Sequence, residues 1–345
     1  MKVLIISTIV PFIEGGQTFI VDWLDETLKK YGYKSEVIKI PFHPYYPEMI
    51  EQMLALRLFD ISEYADLLIA IRTPSYIIKH PNKVLWFIHH HRGAYDLWGT
   101  PYQDIPPTKE GLQIREAIIQ SDNIFLREAK KIYANSKVVA DRLRKFNGID
   151  SEVLYPPLLQ AEKYCCKGYG DYIFYPSRIT MVKRQYLAIE AMKHTKSDVK
   201  LVIAGNPDTK DELEYVESIV RKNDLSSKVE LISRWVSLEE KIELFANALG
   251  CIYIPFDEDS YGYVSLEAYY SRKPVITCSD SGGALEVVEN GINGFVTLPE
   301  PEVIAEAMDK LFYDKALAEK MGQSGYGKLI SMNITWDNVI QKLIG

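Results

Sequence analysis

Between residues 257 and 267 the chain reads Asp-Glu-Asp-Ser-Tyr-Gly-Tyr-Val-Ser-Leu-Glu, its densest grouping of side chains able to do chemistry. Gly262 permits a tight turn, after which the amides of Tyr263 and Val264 open a helix. A helix start collects unpaired N–H groups and the positive end of the dipole, a combination that suits a phosphate. Glu267 falls about one turn into that helix, within reach of a ligand's paired hydroxyls, with Asp259 and Glu258 upstream in the loop. The competing reading is an acidic solvated loop followed by an ordinary surface glutamate. A second grouping, Ser177 to Arg184 (SRITMVKR), brings Arg178 and Lys183 to the end of a strand. Arg offers a rigid bidentate fork and Lys a compact charge, so the two can flank a diphosphate; a solvated basic loop is the alternative.

Three further features are weaker alone. Gly15 and Gly16 lie in the first strand-to-helix loop, where bare backbone admits a phosphate or sugar, although a plain turn also favours glycine. They do not form a GxGxxG fingerprint. His89, His90 and His91, followed by Arg92, end a strand and point alternately to opposite sides. That makes a poor three-ligand face, so no metal site is expected, and one histidine serves better as a polar contact to a ligand hydroxyl. Ser279 to Glu286 contains Gly282 and Gly283, which suit close approach, a sharp turn or simply a structural loop.

The elements that must hold these residues follow from periodicity. Val3-Leu4-Ile5-Ile6 reads as a buried strand, the face Ile20, Trp23, Leu24, Thr27 and Leu28 as a helix, and Ser35 to Ile40 as a strand, giving a βαβ unit. Strands at 66–71 and 83–88, a helix at 123–129 and a segment 131–136 leading into a helix at 137–146 continue the first half. Residues 155–171 lose all periodicity and read as a linker. A second series then alternates strands at 172–175, 199–204, 229–232, 250–254, 274–277 and 294–297 with helices at 185–192, 211–223, 238–247, 264–271, 284–288 and 301–311. The expected class is α/β, two Rossmann-like doubly wound domains facing across a cleft, with ligands in the loops after strands. Domains are expected at 1–157, joined by a C-terminal helix at 330–345, and at 158–329.

Composition bounds the partners. At 345 residues the chain exceeds one core, and 47% apolar with 25% charged residues excludes wholesale disorder. A net charge of −7 argues against a general nucleic-acid binder. Four cysteines, Cys165 and Cys166 adjacent, offer no disulfide framework, and no apolar run is long enough to span a membrane. A cytoplasmic location is expected.

Gly15-Gly16, SRITMVKR, LVIAGN, DSYGYVSLEA, RKPVITCSDSGGALEVVENGINGF and a closing Trp-containing helix together resemble the retaining glycosyltransferases of family four, of GT-B fold. The resemblance spans nearly the whole chain and is strongest from Tyr172 to Leu311. It implies a donor site for a nucleotide diphosphate sugar that needs no cofactor or metal. Glu267 matches the second glutamate of the family's E-x7-E element, on the ribose hydroxyls. Asp259 stands at the first glutamate's place, one methylene shorter, with Glu258 as a substitute. Arg178 and Lys183 match the diphosphate pair, and Gly15, Gly16, Gly205 and the amides after Gly262 (Tyr263, Val264) the phosphate contacts. His89 matches the histidine beside the donor sugar, and the loop at Trp235 the nucleobase contact. The implied catalytic group is therefore His89, Arg178, Lys183 and Asp259.

The implied reaction moves a hexose to a glycan or lipid-linked saccharide. Tyr95, Trp98 and Tyr102 offer aromatic faces for a sugar or anchors for a loop. From Arg127 to Lys145 seven basic residues face two acidic ones, a solvated face or a peripheral contact with anionic lipid at the inner membrane surface. The same fold also serves nucleotide-sugar epimerases and silent sugar-nucleotide binding proteins, and the aspartate at 259 motivates the latter.

Overall fold

The run Val3-Leu4-Ile5-Ile6, apolar and β-branched, forms the buried middle of strand β1 (Lys2–Ile9). The structure, a computed structural model, describes residues 1–12 and 16–345, with side chains from 19 onward in the second stretch. Around β1 assemble β2 (Lys34–Pro41), β3 (Leu67–Ala70), β4 (Lys83–Phe87), β5 (Lys131–Ala134) and β6 (Glu152–Val153), all parallel, in the order β2-β1-β3-β4-β5-β6. The central strands are buried on both faces, as parallel sheets covered by helices require. Those helices are α1 (Gly16–Lys30), α2 (Met49–Leu58), α3 (Lys109–Phe125) and α4 (Lys137–Asn147).

The second sheet holds β7 (Tyr172–Pro176), β8 (Lys200–Ala204), β9 (Val229–Ile232), β10 (Gly250–Ile252), β11 (Val275–Cys278) and β12 (Gly294–Thr297), again parallel, in the order β12-β11-β10-β7-β8-β9. Its helices are α5 (Gln185–Ala191), α6 (Lys210–Lys222), α7 (Leu238–Asn247), α8 (Tyr263–Tyr270), α9 (Pro301–Tyr313) and α10 (Lys315–Ser331). The last helix, α11 (Trp336–Ile344), returns to the first sheet: Val339, Ile340 and Leu343 are buried with Val3, Ile5, Leu24 and Trp86. Two compact units result, 1–157 with 334–345, and 158–333.

Three helices were not legible in the sequence. α2 has apolar residues all round, Leu54 and Leu58 exposed opposite buried Met49, Met53 and Leu56, so its pattern lacks contrast. α3 starts at Lys109 rather than near 123, because Thr108 caps it: its Oγ1 accepts from the Gly111 amide at 3.1 Å. α10 carries glycines that lower helix propensity, yet a Cβ on Gly325 would meet the Tyr269 ring, so glycine lets α10 lie close on α8. The expected helix at 284–288 is a 3₁₀ turn, Gly282–Glu286. The segment read as a linker is packed on the second unit beyond Pro157: Tyr164 is buried, and the Tyr169 hydroxyl donates to the Arg272 carbonyl at 2.8 Å.

Asp122 on α3 is fully enclosed, accepting hydrogen bonds from Tyr76 and from Tyr95 at 2.8 Å. Burial pushes its carboxyl up to about 6, against the lowering effect of both phenols. Because the folded state holds this proton more tightly than the unfolded chain, its stabilisation is full below the unfolded value near 3.8 and is lost as pH rises through 6. Between pH 5 and 8 this group should cost the fold about 1 kcal/mol. Urea unfolding of wild type and Asp122→Asn at both pH values checks it: the variant should lack that share of the pH slope, and equal slopes would reject it.

Candidate functional site

In the second unit the winding reverses between β7 and β10, which pair directly although β8 and β9 lie between them in sequence. Such a switch point, at the carboxyl ends of the strands, is where open α/β sheets accept ligands. The loops meeting there are 177–184 after β7 and 253–262 after β10, the two groupings singled out by residue chemistry.

The 177–184 segment sends three cations to three other loops. Arg178 Nη1 bonds both oxygens of Asp208 beyond β8, at 2.7 and 2.8 Å. Lys183 Nζ bonds Glu258 and, at 2.9 Å, the Tyr253 hydroxyl beyond β10. Arg184 forks onto Asp280 beyond β11, with two bonds of 2.7 Å. The backbone is set to match: Thr180 Oγ1 accepts from the Lys183 amide at 3.2 Å, and the Tyr175 hydroxyl donates to the Lys183 carbonyl. Lys183 and Glu258 are about four-fifths buried, whereas Arg178 is 42% exposed.

Gly262 joins this arrangement through Tyr253. It has φ +70° and ψ 130°, a conformation that side chains resist. A Cβ there would stand 2.7 Å from Tyr253 Cζ and 2.9 Å from its hydroxyl oxygen, so the start of α8 lies against the phenol that also holds Lys183. Burial, then the charge of Glu258, pushes that phenol well up, which keeps it a neutral donor. α8 begins at Tyr263, just past the loop that follows β10, so its N-terminal end lies at the switch point. The loop is braced from behind: a Cβ on Gly282 would stand 2.6 Å from the Glu258 nitrogen, and the Gly283 amide donates to the Glu258 carbonyl at 2.8 Å.

Glu267, one turn into α8, is 4% exposed. Its Oε1 accepts from the Tyr164 hydroxyl at 2.9 Å and from Lys241 on α7, while no donor among the described residues reaches Oε2. Burial, then the charge of Glu267, drives the Tyr164 phenol far up. Asp259 is 7% exposed, and the acid on Lys183 is Glu258. Gly205 ends β8 with its Cα against the loop after β7; a Cβ would lie 3.1 Å from the Arg178 nitrogen. Trp235, in the loop after β9, is 51% exposed, beside a recess of about 570 Å³ lined by Ser233, Arg234 and Glu240. Arg178, Lys183, Gly205, Glu258, Asp259 and Gly262 thus lie on loops at one sheet end, and Tyr263, Val264 and Glu267 on the start of α8 beside them, with Trp235 at the margin.

In the first unit, Gly16 opens α1 and Gly15 lies outside the described residues. The histidines diverge. His89 is partly exposed and its Nδ1 meets the His90 carbonyl. His90 is buried on Asn147 at 2.7 Å among Phe87, Tyr95 and Phe146, and His91 approaches Asp104 at 3.3 Å. Among the described residues no three His, Cys, Asp or Glu side chains gather as metal ligands. Tyr95 is core, and the Arg115 guanidinium lies 4.8 Å over the Trp98 ring. In the basic run Arg142 is buried near Asp96, while Lys130, Lys131 and Lys145 are exposed. No helix among the described residues is long and apolar enough to cross a membrane.

Sequence reasoning missed Arg184, Tyr164, Lys241, Tyr253 and Asp280. Their partners lie 26 to 103 positions away, except for Tyr253 on Glu258, and no local spacing announces them.

Residues 167–328 match the family model described as Glycosyl transferases group 1. The chain is 28% identical over 225 residues to Alpha-1,3/1,6-mannosyltransferase ALG2 of Homo sapiens, covering 57% of this chain and 53% of that protein. It therefore spans about half the length of that relative. Among solved structures it superposes on sucrose-phosphate synthase from Thermosynechococcus elongatus with a TM-score of 0.78 at 16% identity, covering 99% of this chain and 97% of that one. Against Alr3699/HepE of Anabaena in complex with UDP and glucose the TM-score is 0.73 at 17% identity, covering 99% and 98%. With two parallel six-stranded sheets the chain has the GT-B fold, and residues 167–328, most of its second unit, match the family model of the group 1 glycosyl transferases.

Proposed function

We propose that the chain is a glycosyltransferase that moves a hexose from a nucleoside diphosphate sugar to a saccharide acceptor with retention of configuration and without a metal ion. One observation carries the reading: Lys183 and the start of α8 meet on the same phenol, Tyr253, at the switch point of the second sheet. A diphosphate laid there takes the Lys183 ammonium on one side and the helix amides on the other. Cleavage at the anomeric carbon builds negative charge on the departing diphosphate and oxocarbenium character on the sugar. Preorganised donors aimed at that charge lower the barrier. Arg178 joins by exchanging Asp208 for phosphate, and Glu267 Oε2 takes the ribose hydroxyls while Tyr164 and Lys241 hold Oε1.

The donor-facing roles of Glu258, Asp259, Gly205 and Trp235, and of Gly15, Gly16 and His89 in the first unit, belong to the same proposal. So do a glycan or lipid-linked acceptor and peripheral contact of exposed Lys130, Lys131 and Lys145 with anionic lipid. The names of the similar proteins, a mannosyltransferase and a structure holding UDP and glucose, support a hexose donor.

Incubation with UDP-glucose or GDP-mannose and a panel of saccharide acceptors, in EDTA, should release the nucleoside diphosphate and give a product of retained configuration by NMR. Glu267→Ala should bind the nucleotide at least about tenfold more weakly by calorimetry, as a lost hydrogen bond to a charged group implies. Tight binding without release would leave a silent binding protein; inverted product or dependence on added metal would reject the mechanism.

A further inference from the structure

We propose that Arg184 is a positioning residue that sets the distance between Lys183 and the start of α8; the proposal rests on the diphosphate reading of that site. Arg184 is 4% exposed and cannot itself reach a ligand. It follows Lys183 directly and adopts φ +57°, ψ 36°, a left-handed conformation in which an L residue is strained and glycine is at ease. A long side chain at such a position calls for a compensating set of contacts, and the guanidinium supplies them.

Its Nε donates to the Ile254 carbonyl at 2.7 Å and Nη2 to the Pro255 carbonyl at 3.0 Å, the residues that lead out of β10 toward Glu258 and Gly262. Nη1 and Nη2 fork onto Asp280. Asp280 belongs to the loop that braces the acidic segment, since its carbonyl accepts from the Asp257 amide at 2.8 Å. One guanidinium thus ties the backbone beside Lys183 to the first residues of the 253–262 loop and, through Asp280, to its middle. The planar fork suits this because its donors leave in fixed directions, which a single ammonium cannot reproduce. Moving that loop by an ångström would part Lys183 from the helix amides, and misplacements of that size cost about a hundredfold in rate.

The test uses the full chain and UDP, with GDP in parallel, titrated by calorimetry at a temperature where circular dichroism shows each variant folded. Arg184→Gly relieves the backbone strain but removes the guanidinium; Asp280→Asn, at a third-exposed side chain, removes the fork's partner and threatens folding less. Both should bind UDP roughly 10- to 100-fold more weakly and lower kcat with the donor, and Arg184→Lys should recover only part of the loss. If the folded variants bind within threefold of wild type with unchanged kcat and KM, Arg184 serves stability alone and the proposal is overturned. If Arg184→Gly fails to fold, Asp280→Asn decides by the same criterion. Wild-type protein that binds neither UDP nor GDP overturns the diphosphate reading itself, an outcome distinct from intact wild-type binding with indifferent variants.

Discussion

Replacing Lys183 by alanine should lower kcat about 100- to 1000-fold, the loss seen when one preorganised donor to a developing anion is removed. The ammonium is the most enclosed of the two cations assigned to the diphosphate, and it sits with Tyr253 at the start of α8. Stability should change little, because Glu258, the partner left behind, keeps a hydrogen bond with the Tyr253 hydroxyl at 3.1 Å and some access to water. Measuring kcat beside Tm separates the two effects. A variant that turns over within threefold of wild type, or that unfolds at the assay temperature, rejects the catalytic role.

Gly262→Val carries the second large effect. A residue forced into this backbone conformation is strained by about 1–3 kcal/mol, and overpacking adds roughly 1–3 kcal/mol more. Tyr253 cannot swing aside cheaply, since Lys183 and Glu258 hold its hydroxyl and its ring lies within the core. A Tm lower by about 4–24 °C is expected, together with loss of UDP binding, because the helix start must shift. Thermal unfolding with and without UDP checks both; a variant with wild-type Tm and affinity would show that Gly262 is an ordinary turn residue.

The candidate site was readable where one short segment carries the chemistry. Gly262 to Glu267 spans a turn and one helical turn, so its geometry follows from local rules. Arg178 and Lys183 were readable for the same reason, as cations just past an apolar strand. What escaped was pairing across the fold. Nothing near Arg184 indicates that its partners are Ile254 and Asp280, and nothing near Glu267 points to Tyr164, 103 positions earlier. The strands of the second sheet were legible because buried parallel strands are apolar throughout. α10 was not, because Gly325 and Gly322 weaken helix propensity for the sake of close packing on α8 and on the Arg272–Lys273 backbone that follows it, a need visible only once the partner is in place.

The pairing of all three cations of the 178–184 segment with carboxylates on neighbouring loops has a consequence for selectivity. Association there is a swap of counter-charges, not the quenching of bare ones. On the proposed reading, chloride, sulfate or a lone orthophosphate would offer too little to displace a resident carboxylate, whereas a linked pair of phosphoryl groups would meet a side chain and a helix end together.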